Sequence, residues 1–143
     1  MSYAEDVIAI EQLVARCCDA VARRAWDEVA DLYVDDGLWA PPGMEARGRP
    51  AIRDALEQVV GPHPLLVQIA SNPMIAVTGD SATARWQIQE VGRDAKDQTI
   101  TVLGTYDDTL TRTADGWRFT ERRFDLLLFA THPSEGMVRP FAQ

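Results

Sequence analysis

A chain of 143 residues, 46% of them hydrophobic, is long enough to build one domain around its own core and needs no disulfide or metal to hold it together. Its 22 acidic residues outnumber 14 basic ones, and no run of Lys or Arg interleaved with aromatics offsets the net charge of -8, so nucleic acid is excluded as an expected partner. No run of 18 apolar residues occurs and the first segment is acidic where a secretory leader is basic, so the expectation is a cytoplasmic protein that does not enter a membrane.

In chain order, Ser2 and Glu5 have the spacing of a capping box, and Val7, Ile10, Val14, Cys17 and Val21 then recur at steps of three and four, which predicts a helix with one buried stripe. Cys17 and Cys18 are neighbours on that helix, where their side chains diverge, and read as reduced thiols used for packing. Trp26–Val34 repeats the helical pattern more briefly, and Asp35-Asp36-Gly37 carries turn chemistry. Leu38-Trp39-Ala40 is a short apolar piece before Pro41-Pro42-Gly43, and Pro50 opens a third helix that runs to Val60 with Gly61 and Pro62 beyond it.

From Leu65 the texture becomes β-branched and alternating, in segments Leu65–Ala70, Met74–Val77, Ala82–Val91, Thr99–Arg112 and Trp117–Leu128. Helices followed by antiparallel strands predict an α+β layer architecture. Period two places Ala82, Ala84, Trp86, Ile88 and Glu90 on one face, and Ile100, Val102, Gly104, Tyr106, Asp108 and Leu110 on the matching face of the next strand. Gly104 suits a bend that curls the sheet. Trp117 and Phe119 are out of phase with Phe124, Leu126 and Leu128, which a bulge near Glu121 would reconcile. Phe129–Gln143 reads as irregular, so the expected division is a domain over residues 1–130 and a tail over 131–143 that covers the pocket mouth or frays.

Several ordered pieces carry a resemblance: Trp26-Asp27-Glu28-Val29-Ala30-Asp31-Leu32-Tyr33, Asp35-Asp36-Gly37-Leu38-Trp39, Gly48-Arg49-Pro50-Ala51-Ile52, Ser71-Asn72, Gly79-Asp80-Ser81-Ala82-Thr83-Ala84, Gly104-Thr105-Tyr106-Asp107-Asp108-Thr109-Leu110 and Gly116-Trp117-Arg118-Phe119 ending in Arg122. Together they resemble the SnoaL-like branch of the nuclear-transport-factor-2-like (NTF2-like) superfamily, which includes scytalone dehydratase and hexachlorocyclohexane dehydrochlorinase. The resemblance implies a strongly curved sheet wrapped around a long helix, a pocket inside the cone, and homodimers or higher homo-oligomers packed through the outer sheet face. It leaves the chemistry open, because one scaffold hosts many reactions. The lyases of that branch place a catalytic histidine four residues before the Asn of the Ser-Asn step and an orienting aspartate near the end of the first helix. Gln68 and Ala22 stand there instead, and neither can do that work at neutral pH.

The chemistry that remains lies on the inward faces. Glu90 is read as a carboxylate in an apolar cavity, suited to acid-base work, or as a side chain that leaves the cone and reaches water. Asp108, beside Tyr106, is read as a second candidate base or as one half of a buried ion pair. Arg122 falls where relatives of the fold place a pocket arginine and could hold developing oxygen charge, or pair with Glu90 or Asp108; a bulge decides whether it or Arg123 faces inward. Tyr106 offers a hydroxyl donor. Trp39, Trp86, Ile88, Val102 and Phe124 are expected pocket walls, Gln68 a ligand hydrogen-bonder, and Asp19 either a replacement for the missing acid or a solvent-facing or capping side chain. His63 and His132 are isolated, so no metal is expected, and cofactor-independent chemistry is the default.

The expected function is a lyase or isomerase that eliminates water or a small carbonyl compound from a hydrophobic, aromatic or polyketide-like substrate by acid-base catalysis. Two alternatives stay open. One is a noncatalytic small-molecule-binding or assembly module; the other is an epoxide-hydrolase-like site in which Glu90, Arg122 and Asp108 position a water.

Overall fold

The computed structural model describes residues 1–142; Gln143, the end of the expected tail, lies outside the described residues. Helices α1 (Tyr3–Ala22), α2 (Trp26–Ala30) and α3 (Arg49–Val59) accompany strands β1 (Tyr33–Ala40), β2 (Ala46–Arg47), β3 (Leu65–Thr78), β4 (Ser81–Arg93), β5 (Gln98–Thr113) and β6 (Gly116–Pro133). The strands form one sheet in the order β2-β1-β6-β5-β4-β3, antiparallel throughout except where β1 runs parallel to β6. This is the expected α+β, NTF2-like architecture.

Helix α1 starts on a complete capping box, with Ser2 Oγ accepting from the Glu5 N–H and Glu5 Oε2 accepting from the Ser2 N–H. Its apolar stripe buries Ile10, Leu13, Val14, Cys17 and Val21, in one core with Ala82, Ala84, Trp86 and Ile88 of β4. Val7 is only half-buried at the edge of that stripe.

The second helix is shorter than its pattern predicts. It stops at Ala30 because the chain that follows joins the sheet: the Phe119 N–H donates to the Leu32 carbonyl, and Tyr33 packs on Phe119 with ring centroids 5.3 Å apart. Burying a large apolar side chain stabilises by roughly 2 kcal/mol, several times what one residue's helix preference contributes. The Asp35-Asp36-Gly37 turn expected here is part of β1, within a shift of register between Tyr33 and Leu38 that leaves both aspartates exposed while Leu38, Trp39 and Ala40 are buried.

Two other boundaries differ. Leu65–Ala70 and Met74–Val77 are one strand, interrupted by an irregularity between Ser71 and Met74, where Asn72 takes a φ of 51°. Strand β6 continues to Pro133 by pairing with β5, so Phe129 belongs to the sheet and the irregular tail starts later than expected. That tail is tied back where Ser134 Oγ and the Gly136 carbonyl accept from Arg93 Nη2.

The bulge expected near Glu121 is present. Pairing passes from Thr109↔Glu121 to Leu110↔Phe119, so Thr120 is the extra residue and Arg122 and Phe124 share the inner face with Trp117 and Phe119. A second shift, from Leu103↔Leu128 to Gly104↔Leu126, makes Leu127 another extra residue. Gly104 sits where the sheet bends. A Cβ there would lie 2.3 Å from Phe124 Cζ and 2.5 Å from the Asp125 carbonyl, so only glycine lets the Phe124 ring cross the strand.

Candidate active site

Where α1 ends, the inner face of the sheet opens into a cavity of about 220 Å³. Cavities of roughly 150 Å³ accept benzene, so this one has room for a substituted aromatic ring. Its walls are mainly apolar, with Trp39, Val102, Phe124 and Phe129 among them, and its polar side chains are few: Gln68, Glu90, Tyr33, Tyr106, Arg122 and His63, with the Cys17 thiol.

Gln68 and Glu90 face each other across β3 and β4 in direct register. Gln68 Nε2 donates to Glu90 Oε1 at 2.6 Å, which fixes one carboxylate oxygen and leaves the other for a ligand. Burial pushes the Glu90 carboxyl above its ordinary range, against the opposing effects of the Gln68 hydrogen bond and of nearby His63. A carboxylate held this way is a stronger base than one in water.

Arg122 is only 3% exposed and forms the opposite pole of the site. Its Nε donates to Asp108 Oδ1 at 2.7 Å, its Nη1 donates to the weak acceptor Cys17 Sγ at 3.3 Å, and its guanidinium lies 3.9 Å from the Tyr106 ring centroid and 4.4 Å from that of Phe119. Nη2 is buried with no hydrogen-bond partner among the described residues. Burial is the largest single effect and works against the guanidinium charge, but Asp108 together with Cys17, Tyr33 and Tyr106 outweighs it and holds Arg122 protonated. An orphaned buried donor costs about 1–3 kcal/mol, and a cavity wall is where a ligand oxygen can offset that cost.

Tyr106 Oη accepts from the Trp39 indole N–H at 2.9 Å, which leaves the tyrosine's own proton to donate. Burial pushes that phenol well above its ordinary range, so it acts as a neutral donor.

Four expected site residues lie elsewhere. Asp108 is buried but does not line the cavity; it sits behind Arg122 as its ion-pair partner, with Oδ2 lacking a hydrogen bond and burial pushing its carboxyl up. Trp86 and Ile88 share the inner face with Glu90 but are packed in the core with α1, because the helix covers that stretch of β4. Asp19 points away from the cavity and pairs with Arg23 at 2.9 Å, so it does not replace the missing acid. Glu90, Arg122, Tyr106, Gln68, Trp39, Val102 and Phe124 do line one cavity.

Sequence reasoning missed others. Cys17 and Val21 belong to the apolar stripe of α1 and carry no separate signal; they line the cavity because the helix ends there. The burial that makes Cys17 a wall also pushes its thiol up, and burial with the neighbouring Cys17 pushes Cys18 up to about 12, so neither is an activated nucleophile. His63 also lines the cavity, and its one sequence signal was its fixed setting between Pro62 and Pro64. No group of three or more His, Cys, Asp or Glu that could hold a metal occurs among the described residues, and no helix among them is long and apolar enough to cross a membrane.

Comparison with known proteins adds the lineage. A protein of Mycobacterium tuberculosis, Rv2910c, itself uncharacterized, is 32% identical over 129 residues, covering 85% of this chain and 87% of its own length. Among solved structures, a type 2 hexachlorocyclohexane dehydrochlorinase superposes with a TM-score of 0.87 at 18% identity, covering 96% of this chain and 95% of that one. A protein assigned as a scytalone dehydratase from Novosphingobium aromaticivorans gives 0.81 at 23% identity, covering 96% and 91%. At those identities the structural matches speak for the fold. The SnoaL-like domain family matches residues 2–123, and with the sheet, the cone and the cavity in place this chain belongs to that family.

Proposed function

We propose that the protein is a cofactor-independent lyase that eliminates water from a small aromatic substrate carrying a carbonyl group. The observation that supports this most is one apolar cavity holding a desolvated carboxylate with a free oxygen and a buried guanidinium with a free nitrogen. Glu90 takes the proton from the carbon beside the substrate carbonyl, and Arg122 Nη2 and the Tyr106 hydroxyl receive the oxygen that becomes negative. Gln68 replaces the family's histidine in position but not in role; it orients the base. Asp108 keeps the guanidinium in place from behind and touches no substrate.

The epoxide-hydrolase-like alternative needs two carboxylates around one water, and among the described residues Glu90 is the one carboxylate that lines the cavity. A noncatalytic binding module stays in play because position 68 holds no base. One probe separates these readings: the β-hydroxy ketone formed from benzaldehyde and acetone. Elimination yields benzylideneacetone, retro-aldol cleavage yields benzaldehyde and acetone, and a binding module returns it unchanged. Elimination that Glu90→Gln slows about 100-fold is the expected result. An unchanged probe, bound or not, removes the lyase reading.

A second copy of the chain is the proposed partner. Ile69, Leu103 and Leu128 lie along one register row of the outer sheet face, each between 41% and 49% exposed. Light scattering at micromolar protein tests this; a monomer mass contradicts it.

A further inference from the structure

We propose that His63 is the second proton-transfer residue of this cavity, giving through Nε2 the proton that the departing oxygen needs, an assignment that rests on the elimination reading above. Removing a carbon-bound proton is half of a dehydration. Hydroxide is a poor leaving group, so the departing oxygen must be protonated as its bond to carbon breaks, and a second acid on the cavity wall does this while Glu90, held by Gln68, stays on the carbon it deprotonated.

The turn after α3 is built to hold this ring. Arg24, at a φ of 62°, donates from Nη1 to the His63 carbonyl at 2.6 Å and from Nη2 to the Gly61 carbonyl at 2.7 Å. The His63 N–H donates to the Val60 carbonyl at 2.9 Å, and ring Nδ1 lies 3.3 Å from the same oxygen. A carbonyl only accepts, so Nδ1 carries the proton there and Nε2 is the nitrogen left to exchange one with a ligand. The ring lines the same cavity as Glu90 and is half-exposed, so it meets both substrate and solvent. It is also close enough to Glu90 for its charge to oppose the carboxyl's upward shift.

The cycle balances without a co-reactant. Glu90 takes the proton from carbon, and the C–H electron pair forms the enolate C=C while the carbonyl π pair moves onto the oxygen held by Arg122 and Tyr106. That oxygen then re-forms its carbonyl, the enolate pair becomes the new C=C bond, the C–O bond breaks with its pair on the departing oxygen, imidazolium Nε2–H delivers its proton to that oxygen, and water leaves. Glu90 then returns its proton to the neutral imidazole, directly or through water, and both groups are as they began.

The test varies the leaving group. The benzaldehyde–acetone β-hydroxy ketone and its β-acetoxy ester both give benzylideneacetone, but acetate departs without being protonated. His63→Gln is expected to slow loss of water about 100-fold and loss of acetate roughly tenfold less than that, whereas Glu90→Gln slows both alike. Circular dichroism and a thermal melt first establish that His63→Gln folds like the wild type, and equal loss on both substrates in the folded variant overturns the assignment. Carbon-13 NMR of the Glu90 carboxyl supplies a readout apart from turnover: His63→Gln should move its titration upward, and an unmoved titration overturns the coupling. If Glu90→Gln eliminates acetate as fast as the wild type, the Glu90 reading itself has failed, and this inference falls with it.

Discussion

Among the described residues two aspartates are buried, Asp6 and Asp108, each paired with an arginine from another element, and the two pairs are finished differently. At the start of α1, Arg112 grips both oxygens of Asp6 at 2.6 and 3.0 Å, reaches Asp80 with Nε at 2.9 Å, and lies 4.7 Å from the Trp117 ring, whose indole N–H also donates to Asp6. At the cavity, Arg122 has a single bond to Asp108 and a weak one to a thiol, and each partner keeps one polar atom without a hydrogen bond. The first pair is saturated and fastens the helix to the sheet. The second is left incomplete, and its arginine lines the cavity, so on the reading proposed above hydrogen-bond saturation separates the pair that fastens from the pair that serves the site more sharply than burial does.

The strongest way to break this contrast is Arg122→Met. It strands a buried carboxylate and should cost about 3–5 kcal/mol in urea unfolding while abolishing turnover. Adding Asp108→Val should restore most of the stability, since an apolar pair replaces a buried ion pair at little cost, but not the turnover. Turnover that survives in the double variant would show that the free guanidinium nitrogen has no role.

Next in size is Glu90→Gln. Beyond its roughly 100-fold kinetic effect, it should raise the melting temperature at neutral pH. The sign follows from the raised carboxyl: the folded state holds this proton more tightly than the unfolded chain, so stability falls as pH climbs from the ordinary 4.5 through the folded value. Thermal melts of wild type and variant should therefore converge below pH 4.5 and separate above it. Curves that stay parallel across that range would mean the carboxyl is solvated.

The smallest effect is expected at the saturated pair. Asp6→Asn should lower the melting temperature at neutral pH and leave elimination within about twofold of wild type, since no part of that pair lines the cavity. Arg112 holds the Asp6 carboxyl below its ordinary 3.8, so its stabilisation is present above that pH and is lost as pH falls through the folded value. The variant should accordingly unfold with a shallower acid limb, as followed by circular dichroism. A large loss of turnover here would erase the distinction between the two pairs.

Much of this was legible in the residues. The capping box, the stripe of α1, the phase of β4 and β5 and the bulge on β6 are local patterns, and local patterns survive folding. Period two told which face each residue occupies, but not how far along the strand α1 reaches. That is why Trp86 and Ile88 share a face with Glu90 yet sit under the helix while Glu90 lies in the cavity. Asp108 lies on the face assigned to it, and of its two readings the structure shows the buried ion pair with Arg122; only the candidate base was placed too near the cavity, for the same reason. The end of α2 was misread because Tyr33 is claimed by Phe119, a partner 86 positions away that no local pattern announces. His63 was passed over because its role depends on Arg24 and Val60 meeting at one turn.

The two extra residues on β6 decide which side chains the site receives. Each reverses the parity of the strand, so Thr120 puts Arg122 inside and Arg123 outside, and Leu127 reverses it again so that Phe129 faces the cavity beside Val102. Thr120 is the residue the bulge absorbs, so deleting it would leave a regular strand with Arg122 still opposite Asp108 and inside, whereas keeping it and losing the bulge would turn Arg123 and Asp125 inward in place of Arg122 and Phe124. The site therefore depends on where the strand slackens as well as on which residues it carries, and a change in length at the bulge is absorbed while a change in pairing is not.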